Sequence, residues 1–278
     1  MPLVHPSKRT VHFPRHLLDR IAQFRGELAS FLWPPECPLC ETLVDDIDCM
    51  LCPRCVSLLW EDYSRCSKCA TPLPDVVSKD GCYRCRKADF RFDRVITLGP
   101  YRDHLREAVI RLKKPHESLL RRYLAKLLAE IVQQAFAEQE QSTEEVVRCI
   151  IPVPNYWTHS FYGVADAAGE LASVLSAESG IPLKTKLIRR IRKTAKQGML
   201  SWTERSTNVR GAFEIPETKA LTGCHVILVD DVLTSGATCS EVSRQLKLAG
   251  ASRVTVAVIA RGTGARESAS PEIPAEQK

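Results

Sequence analysis

An α/β architecture, a mostly parallel sheet covered by helices on both faces, follows from two patterns in the chain, and a third places a small cysteine-rich module in front of it. Past Phe90, short runs rich in Val and Ile alternate with stretches of helical period. Those runs are apolar on both faces, as strands buried between layers of helices are. Ahead of Phe90, nine of the twelve cysteines crowd into the stretch from Cys37 to Cys85.

Taken in order, residues 1–36 hold an amphipathic helix. Leu17, Leu18, Ile21, Phe24, Leu28, Phe31 and Leu32 recur every three or four residues between His12 and Trp33, and Pro34 and Pro35 end the pattern. Its expected role is docking on the rest of the protein. Arg15, Arg20, Arg25 and Trp33 leave a membrane-surface helix as the sharper alternative. Residues 37–90 carry CPLC, LCPRC, CSKC and CYRC among Pro, Asp, Gly and Ser, too little apolar surface to fold unaided. The α/β domain is expected over 91–264. Its strands are predicted at Arg94 to Leu98, Val146 to Val153, Lys184 to Ile188, His225 to Val229 and Arg253 to Ile259. Helices are predicted at His104 to Lys113, Ser118 to Ala137, Val164 to Glu178 and Ala237 to Ala249, the last stopped by Gly250. Residues 265–278, polar and broken by Pro271 and Pro274, read as a flexible tail.

At 278 residues the chain is long enough for one good-sized core and an accessory module. Its longest apolar runs fall far short of the roughly 20 residues that cross a bilayer. The basic N-terminus lacks the apolar stretch of a secretory signal, so a cytoplasmic location is expected. The formal charge of +6 counts every thiol as neutral. Two zinc ions held by eight thiolates lower it to about +2, which weakens any argument from basicity to nucleic acid.

The cysteines fall into two quartets: Cys37, Cys40, Cys52 and Cys55, then Cys66, Cys69, Cys82 and Cys85. Each C-x-x-C turn presents two sulfurs to one ion, and two turns complete a tetrahedral zinc site. Two sequential structural sites are therefore expected, each worth on the order of 10 kcal/mol of folding free energy. Cys49 could replace Cys52 as a ligand, the pairing could be interleaved, and an iron-sulfur cluster takes the same four thiolates. Buried or disulfide-linked cysteines are the bland reading.

The segment from Val226 to Thr238 is the richest in chemistry. An apolar strand delivers Asp230 and Asp231 at its end, a loop of Thr234, Ser235 and Gly236 follows, and a helix begins near Ala237. Parallel sheets bind ligands at that place. Amides at the helix start and the hydroxyls of Thr234, Ser235 and Thr238 would cradle a phosphate beside Gly236 and Ala237. Two carboxylates cannot hold that phosphate, so Asp230 and Asp231 should face an adjoining sugar, directly or through Mg²⁺. Phosphate and diol together describe a phosphorylated ribose.

In that order of elements the segment resembles the phosphoribosyl diphosphate (PRPP) signature of type I phosphoribosyltransferases. Upstream, Arg190, Arg192, Thr194, Gln197 and Leu200, then Glu204, Arg205 and the run from Asn208 to Phe213, look like the corresponding stretch of the competence protein F (ComF) family. With the cysteine quartets and Ile151-Pro152-Val153-Pro154, the likeness covers roughly Cys37 to Arg261. It implies a type I phosphoribosyltransferase-like fold behind a double zinc ribbon. It also implies a mobile hood near Arg190 to Arg205, with Arg190, Arg192, Lys193, Thr194 and Gln197 over the diphosphate.

The likeness fails after Pro154. In place of the family's basic stretch the chain reads NYWTHSFYGVADAAGELA, in which only His159, Gly163 and the following helix compare. Where several purine phosphoribosyltransferases place an acidic base, this chain has Thr234, so no general base is nominated. The expectations are an enzyme moving phosphoribosyl from Mg²⁺-bound PRPP to an unknown acceptor, or a non-catalytic adaptor supporting DNA uptake or use of external DNA. A zinc-dependent binder of single-stranded DNA is the third.

Overall fold

The computed structural model describes residues 36–44, 51–59, 63–73, 82–137, 146–154, 166–194, 202–216 and 220–262. The expected N-terminal helix, Cys49, His159, Gly163, Gln197, Leu200 and the tail lie outside the described residues. The chain divides into two units, residues 1–52 and 53–278, and each is taken by itself.

In the first unit the CPLC turn is closed by Cys37 N–H donating to Thr42 O and Glu41 N–H to Cys37 O, both at 2.8 Å, beneath an antiparallel bridge of Glu36 with Leu43. Glu41 takes φ 62° at its end. In the second unit the CSKC turn has the same plan: Cys66 N–H to Thr71 O, Ala70 N–H to Cys66 O, a bridge of Arg65 with Pro72, and Ala70 at φ 53°. The repetition seen in the cysteine spacing is thus a repetition of backbone conformation.

The second unit is built on four parallel strands in the order β1, β6, β5, β2: β1 Arg94–Pro100, β2 Arg148–Pro152, β5 His225–Leu233 and β6 Arg253–Arg261. Strands β3 Arg189–Arg190 and β4 Phe213–Glu214 pair antiparallel in a separate small sheet. The helices are α1 Pro53–Leu59, α2 Tyr83–Lys87, α3 Asp103–Leu112, α4 Ser118–Ala137, α5 Ala167–Ser179, α6 Trp202–Val209 and α7 Ala237–Leu248. Helix α4 has the predicted bounds, with Leu120, Leu124, Leu128 and Val132 buried at four-residue spacing. Helix α5 starts at Asp166, whose carboxylate accepts from Gly169 N–H at 3.1 Å, and stops at Gly180 with φ 71°. Gly250 follows α7 at φ 98°, where a Cβ would come within 3.0 Å of Thr222 Cα.

Two expectations are corrected. Lys184 to Ile188 is not a strand: only Leu183 bridges Ile150, after which the chain bends and Leu187 and Ile188 turn toward the core. Strand β5 does not end at Val229. Its pairing with β6 continues through Asp230 with Val258, Val232 with Ala260 and Leu233 with Arg261, because backbone pairing is indifferent to the acidic side chains.

A buried arginine locks the helical layer. Arg121, 3% exposed, pairs through Nε with Glu170 of α5 and donates from Nη1 to the carbonyls of Leu112 and Lys114. It thereby satisfies carbonyls at the end of α3 that no helix can bond internally. On the other side, Cys66, Cys69, Cys82, Phe90 and Phe92 belong to one apolar cluster with Val226, Leu228, Val242 and Val256. The second cysteine group therefore shares the core of the sheet.

Candidate functional site

The C-terminal edge of the parallel sheet carries the predicted residues. Asp230 and Asp231 occupy successive positions of β5, and each turns a carboxylate oxygen onto the next amide. Asp230 Oδ1 accepts from Asp231 N–H at 2.9 Å and Asp231 Oδ1 from Val232 N–H at 2.8 Å. Asp231 Oδ2 meets Lys113 Nζ at 2.8 Å, just past the end of α3. Cys239 of α7 sets its Sγ 3.7 Å from Asp230 Oδ2. Burial first, and then the neighbouring Asp231, pushes the Asp230 carboxyl up to about 8, while Lys113 pulls against them. Burial, then Asp230, raises the Cys239 thiol as well.

Beyond Leu233 the loop turns into α7. Ser235 is buried and its Oγ accepts from Ala237 N–H at 3.3 Å. Gly236 has φ 79°, and a Cβ there would fall 2.7 Å from the ring of Phe90, so both backbone and space demand glycine. Ala237 and Thr238 open a twelve-residue helix whose first amides have no acceptor within the helix. All five predicted phosphate-loop residues, 234–238, thus form one turn at the helix start.

Of the predicted hood residues, Arg190 ends β3 of the small sheet and Arg192, Lys193 and Thr194 follow it directly. Arg190 donates to Thr194 Oγ1, and its guanidinium lies 5.4 Å from the centroid of Phe213. Arg192 Nη2 donates to the carbonyls of Asn208 at 2.9 Å and Arg210 at 2.8 Å. Lys193 is exposed. In the stretch expected to be a mobile hood, β3, β4 and α6 give the described part a frame, with Val209, Ala212 and Phe213 buried in the main core.

Within each unit the predicted metal ligands gather. The sulfurs of Cys37, Cys40 and Cys52 in the first unit, and those of Cys66, Cys69, Cys82 and Cys85 in the second, lie within 4.8 Å of one another in each group. Cys66 and Cys85 are 3.8 Å apart, Cys69 and Cys82 3.4 Å, Cys40 and Cys52 3.5 Å. Four sulfurs about 2.3 Å from a tetrahedral centre stand roughly 3.8 Å apart, whereas a disulfide needs about 2.05 Å. Both groups therefore fit a metal ion. Burial disfavours a thiolate at Cys69, yet the hydroxyl and amide of Thr71 bring it down to about 7.

Sequence reasoning missed Lys113, Cys239, Phe90 and Arg261. The last is fully buried at the end of β6 and donates to the carbonyls of Cys69 and Thr234. Its signal was a cation closing a strand that is apolar from Val256 to Ala260. A cleft of about 1090 Å³ borders the loop through Ser235 and Ala237 and is walled by Tyr83, Arg84, Lys87, Phe90, Arg210 and Arg244, among others. Asp230 and Asp231 are not among its lining residues.

Residues 161–272, the stretch that carries the paired acids and the glycine turn, match the phosphoribosyl transferase domain family. The chain also resembles competence protein F. Competence protein F of Haemophilus influenzae is 29% identical over 212 residues, covering 76% of this chain and 90% of that protein. DNA utilization protein YhgH is 28% identical in Salmonella typhimurium and 27% in Escherichia coli, with the same shares covered. Among solved structures, the allosteric regulatory enzyme of purine biosynthesis is similar at 23% identity and a TM-score of 0.31, over 50% of this chain and 25% of that one. Hypoxanthine phosphoribosyl transferase of Trypanosoma cruzi gives 12% identity and a TM-score of 0.34, over 54% and 69%. Among the described residues no helix is long and apolar enough to cross a membrane.

Proposed function

We propose that the C-terminal edge of β5 binds PRPP, or a related phosphorylated ribose, together with Mg²⁺. One observation carries the reading: a single segment sets two adjacent carboxylates and, five residues later, a left-handed glycine turn opening a helix. In this reading the amides and hydroxyls of Thr234 to Thr238 take the 5-phosphate. Asp230 and Asp231 accept from the ribose hydroxyls, Asp231 exchanging its contact with Lys113 for the ligand. Bound Mg²⁺ would supply positive charge to the diphosphate. Arg190, Arg192, Lys193, Thr194 and Gln197 form the hood on the diphosphate side. In transfer, the bond from ribose C1 to the diphosphate oxygen breaks, the diphosphate leaves with the electron pair, and an acceptor forms the new bond at C1. The two cysteine groups hold zinc as structural sites, and the protein works in the cytoplasm.

A second reading, a non-catalytic adaptor in DNA uptake or use of external DNA, is favoured by the names of the curated relatives and by the arginines of the hood. Arg192 spends its Nη2 donors on hood carbonyls, which leaves fewer N–H groups for a departing diphosphate. Calorimetry with Mg²⁺ and PRPP on the wild type and Asp231→Asn tests binding, and a screen of nucleobases for diphosphate release tests transfer. Binding with release supports the enzyme. Binding without release supports the adaptor as a sensor, and no binding by the wild type removes the ligand from both.

A further inference from the structure

Arg261 has no assigned part in the site, yet its side chain is 0% exposed and spans distant parts of the second unit. Nε donates to Cys69 O at 2.7 Å and Nη2 to Thr71 Oγ1 at 3.2 Å, both in the second cysteine group's first turn. Nη1 serves the carbonyls of Leu233 at 2.6 Å, Thr234 at 2.5 Å and Gly262 at 2.6 Å. We propose that Arg261 is a positioning residue through which the metal-holding group of Cys66, Cys69, Cys82 and Cys85 sets the shape of the phosphate loop.

Two physical arguments carry this, and both rest on the phosphate-binding reading of residues 234–238. The first is stereochemical. The described residues contain no cis peptide, and in a trans peptide the C=O and N–H point in opposite directions. Drawing the carbonyls of Leu233 and Thr234 inward onto Arg261 therefore turns the amides of Thr234 and Ser235 the other way, as an anion site requires. The second is electrostatic. The five acceptors of Arg261 are neutral oxygens, and a buried guanidinium needs a nearby opposite charge. Four thiolates around one divalent ion carry a net charge of about −2, placed beside the Cys69 carbonyl that Arg261 bonds. Thr71 ties the two together, its hydroxyl lying 3.1 Å from Cys69 Sγ and 3.2 Å from Arg261. Losing the metal removes the counter-charge and slackens the Cys69 turn, so the loop carbonyls lose a fixed donor.

The test reads the loop without a ligand. Amide hydrogen exchange over residues 233–238 is measured in the zinc-loaded full chain, in Arg261→Lys, in Thr71→Val, and in Cys85→Ser, whose metal content is checked by native mass spectrometry. Arg121→Lys, an equally buried arginine that touches neither the loop nor the cysteines, is the control. Arg261→Lys and Cys85→Ser, the latter short of one metal ion, should speed loop exchange at least tenfold and Thr71→Val about threefold, with Arg121→Lys unchanged there. PRPP affinity in calorimetry should fall by similar factors. Loop exchange unaltered in Arg261→Lys, or quickened as much in Arg121→Lys, overturns the coupling. If Arg261→Lys does not fold, unaltered exchange in both Thr71→Val and metal-depleted Cys85→Ser overturns it. A wild type that binds no PRPP sinks the phosphate reading alone, since the exchange arm still decides whether metal and loop are linked.

Discussion

His225 begins β5 at one edge of the sheet and Asp230 nears its end at the other, and burial drives both toward their uncharged forms. His225 is lowered to about 4 by burial, then by Arg253 and Arg148. Asp230 is raised to about 8 by burial, then by Asp231. What differs is what each neutral group has left to do. The His225 ring bonds Thr255 Oγ1 through Nε2 at 2.9 Å and meets the edge of Phe136, so it is held within the core. Asp230 sits beside a second carboxylate whose nearest cation, Lys113, reaches in on a side chain 53% exposed. One edge is finished by its own residues, whereas the other holds acids that a cation or a diol would complete. The same force thus leaves a neutral group packed in the core at one end of a strand and, at the other, the acids of the proposed binding site.

The comparison breaks most sharply if both acids are replaced. Asp230→Asn with Asp231→Asn should weaken Mg²⁺-dependent PRPP binding about 100-fold, the loss of two charge-assisted contacts, without lowering the thermal midpoint. Calorimetry and thermal unfolding check the pair of outcomes. Next, Asp230→Asn alone should stabilise the ligand-free protein by about 2 kcal/mol at pH 8 and hardly at all at pH 4. The sign follows from the raised carboxyl. Between about 4 and 8 the folded protein keeps a proton that the unfolded chain releases, so stability falls as pH rises through that window. Urea unfolding at several pH values measures it. At the opposite edge the slope reverses. The unfolded chain protonates His225 near 6.5 while the folded protein resists, so about 1–2 kcal/mol should be lost as pH falls from 6.5 to 5, and His225→Gln should flatten the curve. The smallest effect belongs to Lys113→Met, below about 1 kcal/mol in stability because the pair is partly exposed, with a steeper dependence of ligand binding on Mg²⁺.

Much of this contrast was legible before any coordinates, and the reasons it was not all legible are physical. The loop from Asp230 to Thr238 stood out because its residues are consecutive, so one backbone turn brings them together. The eight cysteines were equally plain, since C-x-x-C spacing is local and metal geometry dictates the rest. Lys113, Phe90 and Arg261 were invisible as site residues because they reach the loop only through tertiary packing, from positions more than a hundred residues away in the first two cases. The hood is less easily read. Its arginines look like ligands for anions in sequence, but a carbonyl is as good an acceptor as a phosphate oxygen is close, and Arg192 bonds two of them. The failed strand at Lys184 to Ile188 shows that an apolar ending can serve packing on the core without pairing in the sheet.

Phe90 stacks on Phe92 with ring centroids 4.8 Å apart, and the same ring occupies the space that a side chain at Gly236 would need. Anyone dividing this protein for separate expression would be tempted to cut between residues 90 and 91, where the cysteine-rich stretch gives way to the first strand of the sheet. Such a fragment, started at Arg91, forfeits an aromatic wall of its own loop, and transplanting the α/β part of a relative onto these cysteines would work only if the donor brings a matching ring with its glycine.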